Sequence, residues 1–368
     1  MGWQTILREN IIELEELEQY LEMTDQEKET MKEILRRFPM SVPKYYLSLI
    51  DPNDPNDPIK KMCIPSTFET DLNGSFDTSG ESINTIVRGI QHKYDPTILA
   101  LTTSMCAMYC RHCFRKRLVG LDDNDDVIRD IHSLVKYVEE HPEVTNVLIS
   151  GGDSFLNTDE VIETYLKDLI DIPYLDLIRF GTRVPVVLPQ RITEDQKLQE
   201  ILKKYNAKKQ IYVVTQFNHP REITKESGAA IQALLETGVA LKNQTVLLKG
   251  VNDDPAILAE LLKQLTRWGI APYYVFQCRP VRGVKNQFQV PLRRGAEIIK
   301  GAKNLQNGIG KSFRYVMSHE TGKIEILGIN NRDEVVFQYH QAKYEQDVSR
   351  IFTLPISDDL AWLGEVPQ

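Results

Sequence analysis

From about Ile98 onward, short apolar runs alternate with longer amphipathic stretches, the pattern of strands laid parallel and wrapped by helices. The runs predict strands over 98–104, 146–150, 177–181, 210–216, 241–248 and 272–278. Between them, Val127, Ile128, Ile131, Leu134, Val135 and Val138 form a helical stripe before His141-Pro142, and Thr193-x-x-Gln196 opens a second helix. Asp254-Pro255 supplies an N-cap and a first-turn proline ahead of Ile257, Leu258, Leu261, Leu262 and Leu265, and Gly269 stops that helix. Six such units predict an α/β fold, a partial (β/α)6 TIM-like barrel, with its chemistry at the C-terminal ends of the strands.

Residues 1–95 read differently, as a helical N-terminal extension. Ile11, Leu14, Leu17 and Leu21 recur at helical spacing among glutamates. Thr24-Asp-Gln-Glu27 is a capping box for a helix bearing Met31, Ile34, Leu35 and Phe38, which Pro39 ends. The prolines of 51–58 impose a loop. The barrel is expected over 96–290, and 291–368 forms a C-terminal cover segment. There the alternation of Val335, Phe337 and Tyr339, followed by Ile351-Phe-Thr-Leu, suits either a subunit contact or a lid on the barrel mouth.

Composition adds exclusions. A net charge of −8 argues against a general nucleic-acid binder, so the basic run Arg111 to Arg117 is expected to rim a site for anionic small molecules. No apolar stretch is long enough to span a bilayer, and the N-terminus has no signal-peptide core, which predicts a cytoplasmic protein with no membrane partner. Five cysteines fit that compartment. Three of them fall in Cys106-Ala-Met-Tyr-Cys110-Arg-His-Cys113, directly after the first barrel strand, while Cys63 and Cys278 stand apart as expected buried thiols, with a place facing a site as the alternative for Cys278 at its strand end.

Three thiolates leave a four-iron cluster with one iron open to a small molecule. The competing reading is a structural zinc site with His112 as fourth ligand, and with it a metal-binding protein without catalysis. At the second strand end, Ser150-Gly151-Gly152-Asp153 allows close backbone approach and offers a carboxylate. The third ends Gly181-Thr-Arg183, the fourth Gln216-Phe-Asn-His219-Pro-Arg-Glu222, with His219 in a structural role. In the fifth, Asn243-Gln244 must satisfy two amides inside an apolar strand, so one of the pair is expected to face the lumen.

The spacing Cys-x3-Cys-x2-Cys resembles that of radical S-adenosylmethionine (SAM) enzymes. Taken with Leu-Ile-Ser-Gly-Gly-Asp, Arg-Val-Pro-Val-Val-Leu-Pro-Gln-Arg-Ile-Thr, Gln-Phe-Asn-His-Pro-Arg-Glu and Asn-Gln-Thr-Val-Leu-Leu-Lys-Gly-Val-Asn-Asp, it is similar to the lysine 2,3-aminomutase family over about residues 90–325. The resemblance implies a [4Fe–4S] cluster on Cys106, Cys110 and Cys113, and SAM beside Gly151, Gly152, Asp153, Gln244 and His112. It implies pyridoxal 5′-phosphate (PLP) carried on Lys323, and Arg115 on the substrate carboxylate. The implied reaction moves an amino group from C2 to C3, fed by an electron donor such as flavodoxin or ferredoxin.

The sequence also departs from that pattern. Ser318-His-Glu-Thr-Gly322 replaces a glycine-rich run before the lysine, with Glu320 positioned to repel an anion, and His92 to Thr97 keeps one cation, Lys93, where the family has arginines for phosphate. Where the lysine enzymes read a distal ammonium with aspartates, this chain has Gln277-Cys-Arg279-Pro and Met317-Ser318, and the glutamate branch of the family similarly carries a cation there. Arg279 therefore predicts a substrate other than lysine, an acidic one such as glutamate. A PLP-independent radical SAM enzyme acting on another small molecule is the alternative. The family's cysteine-based zinc site between subunits is missing, so a homo-oligomer would rest on packing.

Overall fold

The computed structural model describes residues 2–119 and 126–366. Among these, twelve strands form one continuous sheet whose order in space is their order along the chain. β1 (Thr85–Val87), β2 (Ile90–Tyr94) and β3 (Thr97–Leu101) are joined antiparallel. From β3 the sheet runs parallel through β4 (Asn146–Ser150), β5 (Leu177–Gly181), β6 (Gln210–Thr215), β7 (Ala240–Leu247), β8 (Ala271–Gln277) and β9 (Arg314–His319). β10 (Gly322–Ile329), β11 (Val335–Ala342) and β12 (Ile351–Leu354) return antiparallel.

Helices Ile131–Glu139, Asp159–Ile170, Gln196–Asn206, Lys225–Glu236, Pro255–Arg267 and Leu292–Asn304 make the parallel crossovers. Asp130, Thr158, Asp195, Thr224 and Asp254 each take up a free amide at the start of one, which removes an orphan donor. Alternation along the strands separates two faces. Val147, Ile149, Ile178, Phe180, Ile211 and Val213 are buried on the helix side, while Asn146, Leu148, Leu177, Arg179, Tyr212, Lys242 and Gln244 line one cavity.

The six expected strands lie within a residue or two of their predicted starts. The expected helix over Ile11–Leu21 is replaced by short helices Trp3–Arg8 and Leu14–Leu17. Between them Ile11 exchanges both backbone hydrogen bonds with Val42, at 2.9 and 3.0 Å, so that residue is extended, although the predicted apolar positions are all buried. The helix before His141 starts at Ile131 because Asp130 caps it, and that expected at Thr193 starts instead at Gln196 behind Asp195. Residues 85–87 and 90–94 are strands, and Arg314–His319 adds a seventh parallel strand, so the sheet passes through residues 95–96 and 290–291 without a break. The alternating C-terminal residues form β11, with Val335, Phe337 and Tyr339 buried and Phe337 stacked on Phe352 at 5.2 Å.

The basic run serves mainly as a staple rather than a rim. Arg111 donates to Glu69 at 2.8 and 2.5 Å and to the carbonyls of Pro39 and Phe38, and Lys116 donates to Glu69 at 2.5 Å. Burial opposes ionisation of Glu69, but the two cations beside it more than offset that and hold its carboxyl below the usual range. Arg117 pairs with Glu81 and Asp126, leaving Arg115 to reach the cavity. Substituting Glu69→Ala leaves two buried cations without their carboxylate and should destabilise the protein by about 3–5 kcal/mol, read from urea unfolding.

Candidate active site

The cysteine segment 102–119 has almost no regular structure, and its position is imposed from outside. The amides of Gly152 and Asp153 donate to the carbonyls of Thr103 and Met105 at 2.5 and 2.7 Å. Gly151 adopts φ +128°, and a Cβ at either glycine would collide with one of those carbonyl oxygens. On the other side, the amides of Tyr109 and Arg111 donate to the carbonyls of Ser41 and Met62, and Asn10 Nδ2 donates to that of Ala107. The N-terminal extension thus closes over the back of the segment.

Cys106, Cys110 and Cys113 all line a cavity of ≈ 610 Å³ beside the parallel strands, a size suited to small molecules. Burial, then the neighbouring thiols and Asp153, push the Cys106 thiol far up, and burial with Cys110 pushes Cys113 to about 11. Three cysteine sulfurs on one cavity wall, two of them held protonated in this way, are a donor set that a cationic iron centre satisfies. Arg183 Nη1 lies 2.7 Å from Cys110 Sγ.

Gly151, Gly152, Asp153, Gln244 and His112 line the same cavity. Asp153 is fully engaged by the fold: its carboxylate accepts from Thr182 Oγ1 and the Arg183 amide at 2.6 Å and from the Phe155 amide at 3.0 Å. Gln244 faces the lumen, whereas Asn243 is buried and bonded to Thr215, Phe217 and Thr245. His112 Nε2 meets Asn218 Nδ2 at 3.2 Å, while Asn218 Oδ1 accepts from the Val246 amide. That fixes Nε2 as the acceptor and leaves a proton on Nδ1, which is buried without a partner. Burial keeps this imidazole neutral. Its Nε2 is taken, so it is poorly placed as a fourth zinc ligand.

The rest of the lining is cationic. Lys93, Arg115, Arg179, Arg183, Lys242, Arg279 and Lys323 face two carboxylates, Glu81 and the engaged Asp153. Arg115 Nε donates to Glu81 at 3.1 Å and its Nη1 lies 3.4 Å from Ser150 Oγ. Arg279 is held by hydroxyls, Ser79 at 2.7 Å and Ser318 at 3.0 Å, lies over the Phe114 ring, and forms no salt bridge among the described residues. Burial lowers its pKa to about 10, so it stays charged at neutral pH. Lys323 Nζ donates to Gln341 Oε1 at 2.9 Å and lies 4.6 Å from the centre of the Tyr274 ring. Burial, then Arg179, Lys93 and Arg279, bring its pKa down to about 7, and burial with Arg279 and Lys343 does the same for Lys93. A buried amine neutral near pH 7 suits a carbonyl cofactor. Glu320 is exposed and outside the cavity lining, although its charge acts on Lys93 in that lining.

Sequence reasoning missed Arg179, Lys242 and Glu81. A lone arginine in Leu-Ile-Arg179-Phe-Gly and a lone lysine in Ala-Leu-Lys242-Asn were available signals, since strand alternation places both on the face of Gly181 and Gln244. One further group with metal-ligand chemistry, His92, His141 and Glu143, lies outside the cavity lining. There both His92 nitrogens are already taken, by the Tyr137 hydroxyl and the Asp95 carbonyl. Cys63 and Cys278 are buried free thiols, and Cys278 also touches the cavity.

No protein-family model matches the chain. It is 39% identical over 357 residues to a lysine 2,3-aminomutase homologue of Aquifex aeolicus, covering 96% of this chain and 94% of that one. It is 41% identical over 308 residues to the L-lysine 2,3-aminomutase of Clostridium subterminale (83% of this chain, 73% of the relative). Identity to the glutamate 2,3-aminomutase of Clostridioides difficile is 38% over 308 residues (83% and 71%). Among solved structures, a radical SAM methyltransferase from Sphaerobacter thermophilus is a loose likeness, with a TM-score of 0.39 and 17% identity over 62% of this chain and 68% of that one.

Two outcomes follow from this geometry. Gly152→Ala should displace the cysteine segment and lower the iron taken up on anaerobic reconstitution several-fold, measured as iron per chain. Lys323 has a folded-state pKa near 7 against an ordinary 10.5, so the folded protein sheds this proton first and gains stability as pH rises between those values, the penalty being complete below pH 7. Lys323→Met should therefore raise the melting temperature of the cofactor-free protein at pH 6, with a smaller gain at pH 9.

Proposed function

We propose, from the premise that the chain belongs to the lysine 2,3-aminomutase family and is a radical SAM isomerase, that it moves an amino group from C2 to C3 of an acidic amino acid such as glutamate. Arg279 carries this reading: it lines the cavity, stays charged at neutral pH and is held by two hydroxyls rather than by a carboxylate. A lysine side chain would set a second positive charge against this guanidinium, whereas the distal carboxylate of an acidic amino acid would pair with it.

In this reading Cys106, Cys110 and Cys113 hold the cluster, and His112, Gly151, Gly152, Asp153 and Gln244 surround SAM. Asp153 acts there by fixing the β5 end rather than as a free carboxylate. Bound together, the cluster and SAM supply radical chemistry, and PLP supplies a carbonyl that takes up an amine. Lys323 offers the amine that anchors PLP. Arg179, Lys242 and Lys93 line the same lumen and suit its phosphate, in place of the glycine-rich run that the sequence lacks. Arg115 holds the α-carboxylate, its Nε braced by Glu81, and Arg279 holds the distal one. We read the curved parallel region, 96–290, as a partial (β/α)6 barrel, with 1–95 as an extension and 291–368 as its cover. No helix among the described residues is long and apolar enough to cross a membrane. The reading also includes a cytoplasmic setting, a small electron-transfer protein as donor and association of copies through packing alone.

The test is a screen of amino acids with the reduced, reconstituted enzyme, following label transfer from substrate to SAM. Glutamate or a close acidic relative should turn over, and a preference for lysine would overturn the assignment. Arg279→Met should raise the KM for the acidic substrate about 10- to 100-fold, the worth of one charge-assisted hydrogen-bonded contact. Borohydride reduction and peptide mass spectrometry should place a pyridoxyl group on Lys323, and its absence would favour the PLP-independent reading.

A further inference from the structure

Two strand-end segments, Gly181-Thr-Arg183 and His219-Pro-Arg-Glu222, have no part in the scheme above. The fold brings them together behind Cys110. Arg183 Nη1 lies 2.7 Å from Cys110 Sγ, its Nη2 contacts Glu222 and lies 3.2 Å from the Tyr46 hydroxyl, and its Nε donates to the Gln216 carbonyl at 3.2 Å. The Arg183 amide is in turn held by Asp153. Glu222 is saturated: Oε1 accepts from Tyr46 at 2.6 Å and from Arg183, while Oε2 accepts from the amides of Asn218 and His219 at 2.6 and 3.0 Å. Arg183, Glu222 and Tyr46 are 7%, 0% and 0% exposed, so the guanidinium cannot swing into solvent. Among the described residues, no charged side chain donates a hydrogen bond to Cys106 or Cys113.

We infer that Arg183 is a positioning residue for the cluster: its Nη1–H donates to the Cys110 thiolate, fixes that ligand's orientation and stabilises the reduced cluster. This rests on the reading that Cys106, Cys110 and Cys113 ligate a [4Fe–4S] centre. The physical reason is charge. Uptake of one electron from an external low-potential donor makes the cluster more negative, and a cation fixed against one ligand sulfur in a water-poor setting favours that state. Glu222 neutralises Arg183 as a pair but occupies the other Nη, so the positive edge still meets the sulfur. The assignment gives both strand-end segments a task, since Glu222 and Tyr46 hold the donor at its place.

The test uses the anaerobically reconstituted full-length enzyme and the parent, Arg183→Lys and Arg183→Gln proteins. Iron and sulfide are counted, and the one-electron couple is titrated with dithionite while the reduced cluster is followed by electron paramagnetic resonance. The midpoint potential should fall in Arg183→Lys, which keeps a cation for Glu222 but gives up the fork, and fall further in Arg183→Gln. If leaving Glu222 unpaired prevents Arg183→Gln from folding, Arg183→Lys carries the comparison. A purely structural arginine would lower stability or iron content yet leave the potential of the clusters that form unchanged, and that result would overturn the inference. A parent protein that takes up no four-iron cluster is a separate outcome, which sinks the cluster reading and the inference with it.

Discussion

Two backbone segments meet at the end of β4 with no room for a side chain between them, and the arrangement of the cavity depends on that approach. Gly151 and Gly152 lie against the carbonyls of 103–105, and the amides that follow them close the contact. A segment with almost no secondary structure of its own thereby acquires a fixed path, which a loop carrying three ligands for one centre requires. The constraint then passes sideways. Asp153 binds Thr182 and Arg183 at the end of β5, and Arg183 binds Cys110 and, through Glu222, the segment after β6. Asn218, in that segment, fixes His112 and the amide of Val246 in β7. Each strand end is located by its neighbour, so the precision of the site comes from a chain of short contacts rather than from any one loop.

Charge is distributed on the same plan. Outside the lumen, carboxylates that are buried or half-buried are matched to their cations: buried Glu69 to Arg111 and Lys116, buried Asp57 to Arg221, and half-buried Asp159 and Asp195 to Arg191. These pairs tie the N-terminal extension and the crossover helices to the sheet. Inside the lumen the cations outnumber the carboxylates, and hydroxyls and aromatic faces stand where acids would otherwise pair with them. Such an excess costs stability in the empty protein, and an anionic ligand offsets it. It is the expected imbalance of a surface shaped for ligand rather than for folding alone.

Much of this was legible in the sequence, and what was not has identifiable causes. The parallel strands announced themselves as apolar runs because both of their faces are largely covered, and the cysteines, glycines and Asn243-Gln244 marked the strand ends. Lumen-facing Arg179 and Lys242 were passed over because each is a single charge inside a strand, which reads as noise until the sheet gives it an inward direction. β9 was missed because Arg314-Tyr-Val-Met-Ser-His319 is short and mixed in character, and pairs with β8 only after a long crossover. The run from Arg111 to Arg117 misled for the opposite reason. Its charge was plain, but its partners Glu69 and Glu81 lie 30 or more residues upstream in sequence, so local pattern could not tell a staple from a rim.

The identity of each cation matters as much as the count. Removal from water and mutual repulsion act on Lys93, Lys323 and Arg279, yet an ammonium can escape by losing a proton near neutrality, whereas a guanidinium cannot. Lys93 and Lys323 are accordingly brought to about 7, while Arg279 remains charged with a pKa near 10. The arginines therefore supply permanent charge for anionic groups. Burial does most to discharge Lys323, and the field of Arg179 and Arg279 adds to it, which suits the nucleophile proposed there. In the proposed function these arginines therefore serve twice, and loss of Arg179 or Arg279 would remove a contact for an anionic group and also lift one of the charges that, after burial, lower the pKa of Lys323.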